Sequence, residues 1–80
     1  GYYRVEAITE IADFNERLGG ELSDVDYDTI GGLVVNQFGR LPKRGESVAA
    51  GGFKFTVLRA DSRRLYTLLV EKGNPAHAQQ

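Results

Sequence analysis

The chain opens on a short aromatic and β-branched run, Tyr2-Tyr3-Arg4-Val5-Glu6, which predicts a strand. Alternation would turn Tyr3 and Val5 towards a core and Arg4 and Glu6 towards water. The apolar period then lengthens. Ile11, Phe14 and Leu18 stand at i, i+3 and i+7, one face of a helix, while Glu10, Asp13, Glu16 and Arg17 take the other faces. Thr9 is the expected N-cap, and Glu10 suits the positive end of the helix dipole. Gly19-Gly20 supplies the left-handed stop, so a helix is predicted over residues 9–18.

Residues 21–26 form an acidic connection in which Leu22 and Val25 are the expected apolar anchors. The helical period then returns with Ile30, Leu33, Val34, Gln37 and Phe38 at i, i+3, i+4, i+7 and i+8. Asp26 or Asp28 is the expected cap, Gly39 ends the helix and Pro42 prevents a restart. Taken alone, Leu33-Val34-Val35 would also suit a buried strand; the capping signals and the wider spacing favour the helix.

Beyond a loop over residues 40–45 the period shortens to two. Glu46-Ser47-Val48-Ala49 predicts a short strand and Ala50-Gly51-Gly52 a hairpin turn. Phe53, Phe55 and Val57 then share a core face, with Leu58 opposite. A second turn over residues 60–63 leads to a last strand over residues 64–72, with Leu68 and Val70 on one face and Leu69 on the other. Residues 73–80 carry no core pattern and predict a flexible C-terminal tail. The expected fold class is α+β: strand, helix, helix and three strands, with two helices packed on a small, mainly antiparallel sheet.

Eighty residues make one domain at most, with a thin core and little chain left to line a deep catalytic cavity. The absence of cysteine removes disulfides and thiolate metal sites. A net charge of −1 gives no global field for holding nucleic acid. No apolar run approaches the ~20 residues that span a bilayer, and no leader peptide is visible. His77, the lone histidine, lies in the tail, so neither a zinc site nor a nucleophile–histidine–carboxylate set is expected.

The most unusual local feature is Tyr27-Asp28-Thr29-Ile30-Gly31-Gly32-Leu33-Val34. Two glycines in the first turns of a helix cost roughly 1 kcal/mol each relative to alanine. Two gains could offset that: close backbone packing against the first helix or the sheet, or a ligand such as a nucleotide or flavin at the helix start. Packing is the favoured reading, because no phosphate-loop pattern with a lysine surrounds the pair. Tyr27 is expected to lay its ring over the helix start. Two small basic groups, Arg40, Lys43 and Arg44, and Arg59, Arg63 and Arg64, read as solvated loop charges.

Leu18-Gly19, the run Asp26 to Val34, Gly39-Arg40-Leu41-Pro42, Gly45-Glu46, Gly52-Phe53-Lys54-Phe55 and Asp61-Ser62-Arg63-Arg64-Leu65 follow one another in order. Together they resemble the transporter-associated domain of the CorC/HlyC family, over about residues 3–72. The resemblance implies a non-catalytic regulatory domain of a membrane ion transporter, of magnesium and cobalt efflux or haemolysin-like type. It also implies a place on the cytoplasmic side of the membrane, next to CBS modules and a membrane domain of the same protein. A homodimer is a further candidate arrangement, and nucleic acid is not an expected partner. Thr67 and Leu69 depart from the family's charged alternation in the last strand and suggest a contact surface.

Against that background Asp24, Asp26 and Asp28 are candidate ligands for a weakly bound divalent cation, since hard cations prefer carboxylates. The plainer reading is that one of them caps the second helix while the others, with Glu21, are solvated at its positive end. No other cofactor and no catalytic residue is expected.

Overall fold

The computed structural model describes residues 1–73. The elements follow in the expected order: β1 (Tyr2–Glu6), α1 (Ile11–Leu18), α2 (Ile30–Phe38), β2 (Ser47–Ala50), β3 (Phe53–Ala60) and β4 (Leu65–Lys72). The four strands form one sheet in the order β1-β4-β3-β2, with every neighbouring pair antiparallel. The fold is α+β, as the periods predict. The tail from Asn74 onward, His77 included, lies outside the described residues.

The core forms where one face of the sheet meets the apolar stripes of the helices. Phe53, Phe55 and Val57 alternate inward from β3, as do Leu68 and Val70 from β4. Ile11 and Phe14 of α1 and Ile30 and Val34 of α2 are buried against them. Phe14 meets Phe53 edge-on with ring centres 5.0 Å apart and lies 5.8 Å from Phe55. Gly51 and Gly52 join β2 to β3 with φ of 58° and 84°, the left-handed pair that a tight hairpin turn needs.

Several local expectations change. Tyr3 is 45% exposed although Val5, two residues on, is buried. β1 is an edge strand, and its first half lies beyond the reach of the core. The register of β3 against β4 shifts at Val57/Arg59 and again at Arg59/Ala60. These bulges reverse the alternation, which brings Leu65 into the core and Ala60 against it. Thr67 is no surface position: it is 1% exposed, and its hydroxyl donates to the Glu6 carboxylate at 3.3 Å. The contact surface expected at Thr67 is therefore absent, while Leu69 is half-buried on the opposite face from the core.

Loop residues 40–46 are held by one half-buried carboxylate. Glu46 pairs with the Arg40 guanidinium and accepts the Lys43 backbone N–H at 2.7 Å. Arg40 also stands 5.7 Å from the centre of the Phe38 ring. The hydrogen bonds from Arg40 and then from the Lys43 N–H hold the Glu46 carboxyl down at about 2, from an ordinary 4.5. A folded value below the unfolded one means the stabilisation is complete above about pH 4.5 and is lost as pH falls towards 2. The melting temperatures of the wild type and Glu46→Gln are expected to differ at about pH 6 and to converge near pH 2. A constant difference across that range would contradict the pairing.

Candidate functional site at the paired helix starts

The two helices do not begin with side-chain caps alone; their entry segments pair with each other. Glu10 and Thr29 form an isolated antiparallel bridge. The Ile11 N–H donates to the Asp28 carbonyl at 2.8 Å, and the Ile30 N–H donates to the Thr9 carbonyl at 2.9 Å. The Gly31 N–H reaches across to the Ala7 carbonyl, also at 2.8 Å. This seam ties the chain after β1 to the start of α2.

It also corrects both expected caps. The N-cap of α1 is Glu10 rather than Thr9, and it makes no side-chain capping bond. The N-cap of α2 is Thr29 rather than Asp26 or Asp28; its hydroxyl accepts the Gly32 N–H at 3.1 Å. Asp28 sits one position too early and contributes its carbonyl instead. Both helices do end, as expected, on left-handed glycines, Gly19 and Gly39.

The glycine pair separates into two roles. A Cβ on Gly31 would lie 2.8 Å from the Ala7 Cβ and 2.9 Å from its carbonyl oxygen, too close for any residue but glycine. A Cβ on Gly32 would meet nothing nearer than the Thr29 hydroxyl oxygen at 3.4 Å and the Tyr27 Cβ at 3.7 Å. Packing therefore accounts for Gly31 and leaves Gly32 unexplained by contact. Tyr27 is half-buried against the core beside this turn, as expected. The N–H groups of Ile30, Gly31, Gly32 and Leu33 all have partners within the chain. The donors that an anionic ligand would take at a helix start are engaged.

The acidic connection is arranged differently from its prediction. Leu22 is the buried anchor, and the Asn15 side chain fixes it from both sides. Asn15 donates to the Leu22 carbonyl at 2.8 Å and accepts the Leu22 N–H at 3.0 Å. An asparagine in the middle of a short helix, where it is a weak helix former, was the available signal for this clamp. Val25 is no anchor: it is 84% exposed, because Leu22 alone reaches the core. Asp24, Asp26 and Asp28 are all exposed. Asp24 and Asp28 line one shallow cleft of about 210 Å³ with Glu10, whereas Asp26 lies outside it. Among the described residues no three carboxylate or histidine side chains converge closely enough to hold a metal ion.

The second basic group is partly structural. Asp61 organises the β3–β4 turn by accepting the backbone N–H groups of Arg63 and Arg64 at 2.7 and 2.9 Å. It also accepts the Tyr66 hydroxyl at 2.7 Å. That last bond, followed by the two backbone N–H groups, holds the Asp61 carboxyl below its usual range; the same bond raises the Tyr66 phenol. Arg59 lies over the Tyr66 ring, 5.0 Å from its centre.

These features define a two-layer α+β domain whose distinctive glycine-bearing stretch seals the start of one helix against the chain beside the other. The chain belongs to the family of the transporter associated domain, CorC_HlyC, whose model matches residues 1–74. It is 50% identical over 68 residues to a magnesium and cobalt efflux protein, CorC, of Vibrio cholerae, a match covering 85% of this chain and 23% of that protein. The CorC of Escherichia coli is 48% identical over 69 residues, which cover 86% of this chain and 24% of the relative. The chain thus spans about a quarter of the length of the curated relatives it matches.

Solved structures agree. A putative Mg2+ and Co2+ transporter (CorC) associated region from Neisseria meningitidis superposes with a TM-score of 0.85 at 52% identity, covering 89% of this chain and 88% of that one. A CorC_HlyC domain from a Xylella fastidiosa hemolysin, described in complex with Mg++ and Mn++, superposes at 0.81 with 28% identity, covering 92% and 90%. Among the described residues no helix is long and apolar enough to cross a membrane.

Proposed function

We propose that this domain is a non-catalytic regulatory module of a larger ion-transporting membrane protein of the magnesium and cobalt efflux type. It would act on the cytoplasmic side, biasing transport through contacts with CBS modules, with the membrane domain or with a second copy. The observation that carries this reading is the 50% identity to one segment, 23% of the length, of a protein named for magnesium and cobalt efflux. The geometry of the helix starts supports it: the family-signature residues serve the domain's own architecture, which favours action through surfaces. Deleting residues 1–73 from the larger protein is expected to change ion efflux or its regulation while membrane insertion survives. Unchanged efflux together with unchanged assembly would overturn the reading.

A second reading, a divalent-cation sensor, is favoured by two specific observations. Asp24 and Asp28 share a cleft with Glu10, and the Xylella relative is described with Mg++ and Mn++. Two neighbouring carboxylates without a closed cage suit a weak, largely hydrated ion. Calorimetric titration with Mg2+, Mn2+ and Co2+ is expected to give binding only in the millimolar range. Asp24→Asn combined with Asp28→Asn would abolish it, and Asp26→Asn would leave it. Binding that survives the double substitution, or no heat at all, rules out this cleft.

A further inference from the structure

Among the described residues, one side of the sheet ends at β1, which has β4 as its sole strand neighbour. Beside it runs a groove of about 580 Å³. All five residues of β1 line this groove, and Phe14, Arg17 and Leu18 of α1 line it from the other side. Successive strand residues face opposite sides of a sheet. A groove that touches all five must therefore follow the strand's edge, not either face. An edge strand opposed by a helix is the geometry in which an extended peptide joins a sheet as an added strand.

The backbone of β1 is arranged for this. The Ala7 N–H donates to the Tyr66 carbonyl at 2.8 Å, and the register from Tyr2↔Glu71 to Glu6↔Thr67 is unbroken. By alternation, Val5 and Tyr3 also direct their N–H and C=O groups at β4. Tyr2, Arg4 and Glu6 direct theirs away from the sheet, and of these the Glu6 carbonyl is already taken by the Thr9 N–H at 3.0 Å. Tyr2 and Tyr3 are 65% and 45% exposed along the same edge.

Charge decides the occupant. Arg4 and Arg17 line the groove against one carboxylate, that of Glu6, which also accepts the Thr67 hydroxyl, so the lining carries a net positive charge. A second copy of β1 laid antiparallel over the full strand, Tyr2 against Glu6, would set Arg4 directly against Arg4, and like charges in that position are destabilising. In that full-length register the edge disfavours its own copy, and Arg4 favours a strand that brings a carboxylate.

We propose that this groove docks one extended segment of the larger protein as a fifth strand. Its apolar residues alternate onto the side of Tyr3, Val5 and Phe14, and a carboxylate stands opposite Arg4. Only the origin of the segment rests on the regulatory reading above; the groove and its chemistry do not.

The test uses this chain with two blocked pentapeptides as probes, Val-Glu-Val-Glu-Val and Val-Lys-Val-Lys-Val, followed by amide NMR. The glutamate peptide is expected to shift the Arg4 and Glu6 amides and slow their exchange about tenfold. The lysine peptide leaves them unchanged, and Arg4→Glu exchanges the preference. Equal responses to both peptides, no response, or shifts confined to another surface would overturn the site. Concentration-dependent protection of these amides without peptide would assign the edge to a second copy and overturn the occupant. In the larger protein the same amides are expected to be protected relative to the isolated chain. Unchanged exchange there overturns the proposed origin, whatever the outcome of deleting the domain.

Discussion

Phe14→Ala is expected to leave the domain largely unfolded at physiological temperature. Phe14 is 1% exposed and is the point where α1 meets the sheet, with its ring against both Phe53 and Phe55. Truncating a buried phenylalanine costs about 3–5 kcal/mol, through lost transfer energy and the cavity left behind. A chain of this size has a total stability of roughly 4–12 kcal/mol. The loss therefore removes much or all of the margin, because a domain this small has no second core to fall back on. Phe14→Leu keeps most of the volume and is expected to cost less than about 1.5 kcal/mol. Urea unfolding of the three proteins measures this. A loss below about 1 kcal/mol for the alanine variant would mean that α1 is not anchored as described.

Gly31→Ala has the second largest expected effect, and its neighbour supplies the control. The added methyl would drive into the Ala7 Cβ and carbonyl, at 2.8 and 2.9 Å. Relief requires α2 to move away from the chain that follows β1. That movement stretches the Gly31–Ala7 hydrogen bond and strains the Ile30–Thr9 and Ile11–Asp28 bonds of the same seam. Overpacking and a weakened buried hydrogen bond together predict a loss of about 2–4 kcal/mol, or a melting temperature lower by roughly 10–25 °C. Gly32→Ala meets only ordinary contacts. It is expected to be neutral or to gain up to about 1 kcal/mol from helix propensity. Thermal unfolding of the pair separates the roles, and equal effects would contradict the seam.

The periods of two and 3.6 made the element order legible, because each buried face here is regular over most of its length. β1 matches its expected span, and the hairpin at Gly51-Gly52 was readable from two residues that tolerate positive φ. What escaped the sequence depended on contacts between distant segments. Thr9, Asp26 and Asp28 are all good cap formers, yet the seam between residues 7–11 and 28–31 supplies most of what caps would have supplied. No local pattern announces such a pairing. Val25 looked like an anchor because it is apolar; Asn15, which is polar, is the residue that fixes the connection. Strict alternation failed in β4 because two bulges reverse its phase at the end near Arg59 and Thr67. Asp24 and Asp28 were legible as exposed carboxylates, but which of the aspartates share a cleft follows from how residues 21–28 wrap past α1.

If the glycine-bearing stretch builds the domain and the proposed regulation runs through the folded domain's surfaces, the two glycines separate in a transport assay: metal-ion efflux by the larger protein carrying Gly31→Ala or Gly32→Ala, compared with the wild type and with the domain removed. Gly31→Ala is expected to reproduce the defect of the deletion, and Gly32→Ala to transport like the wild type. A Gly32→Ala protein that folds normally but shows the deletion defect would contradict the account and place a ligand at the start of α2.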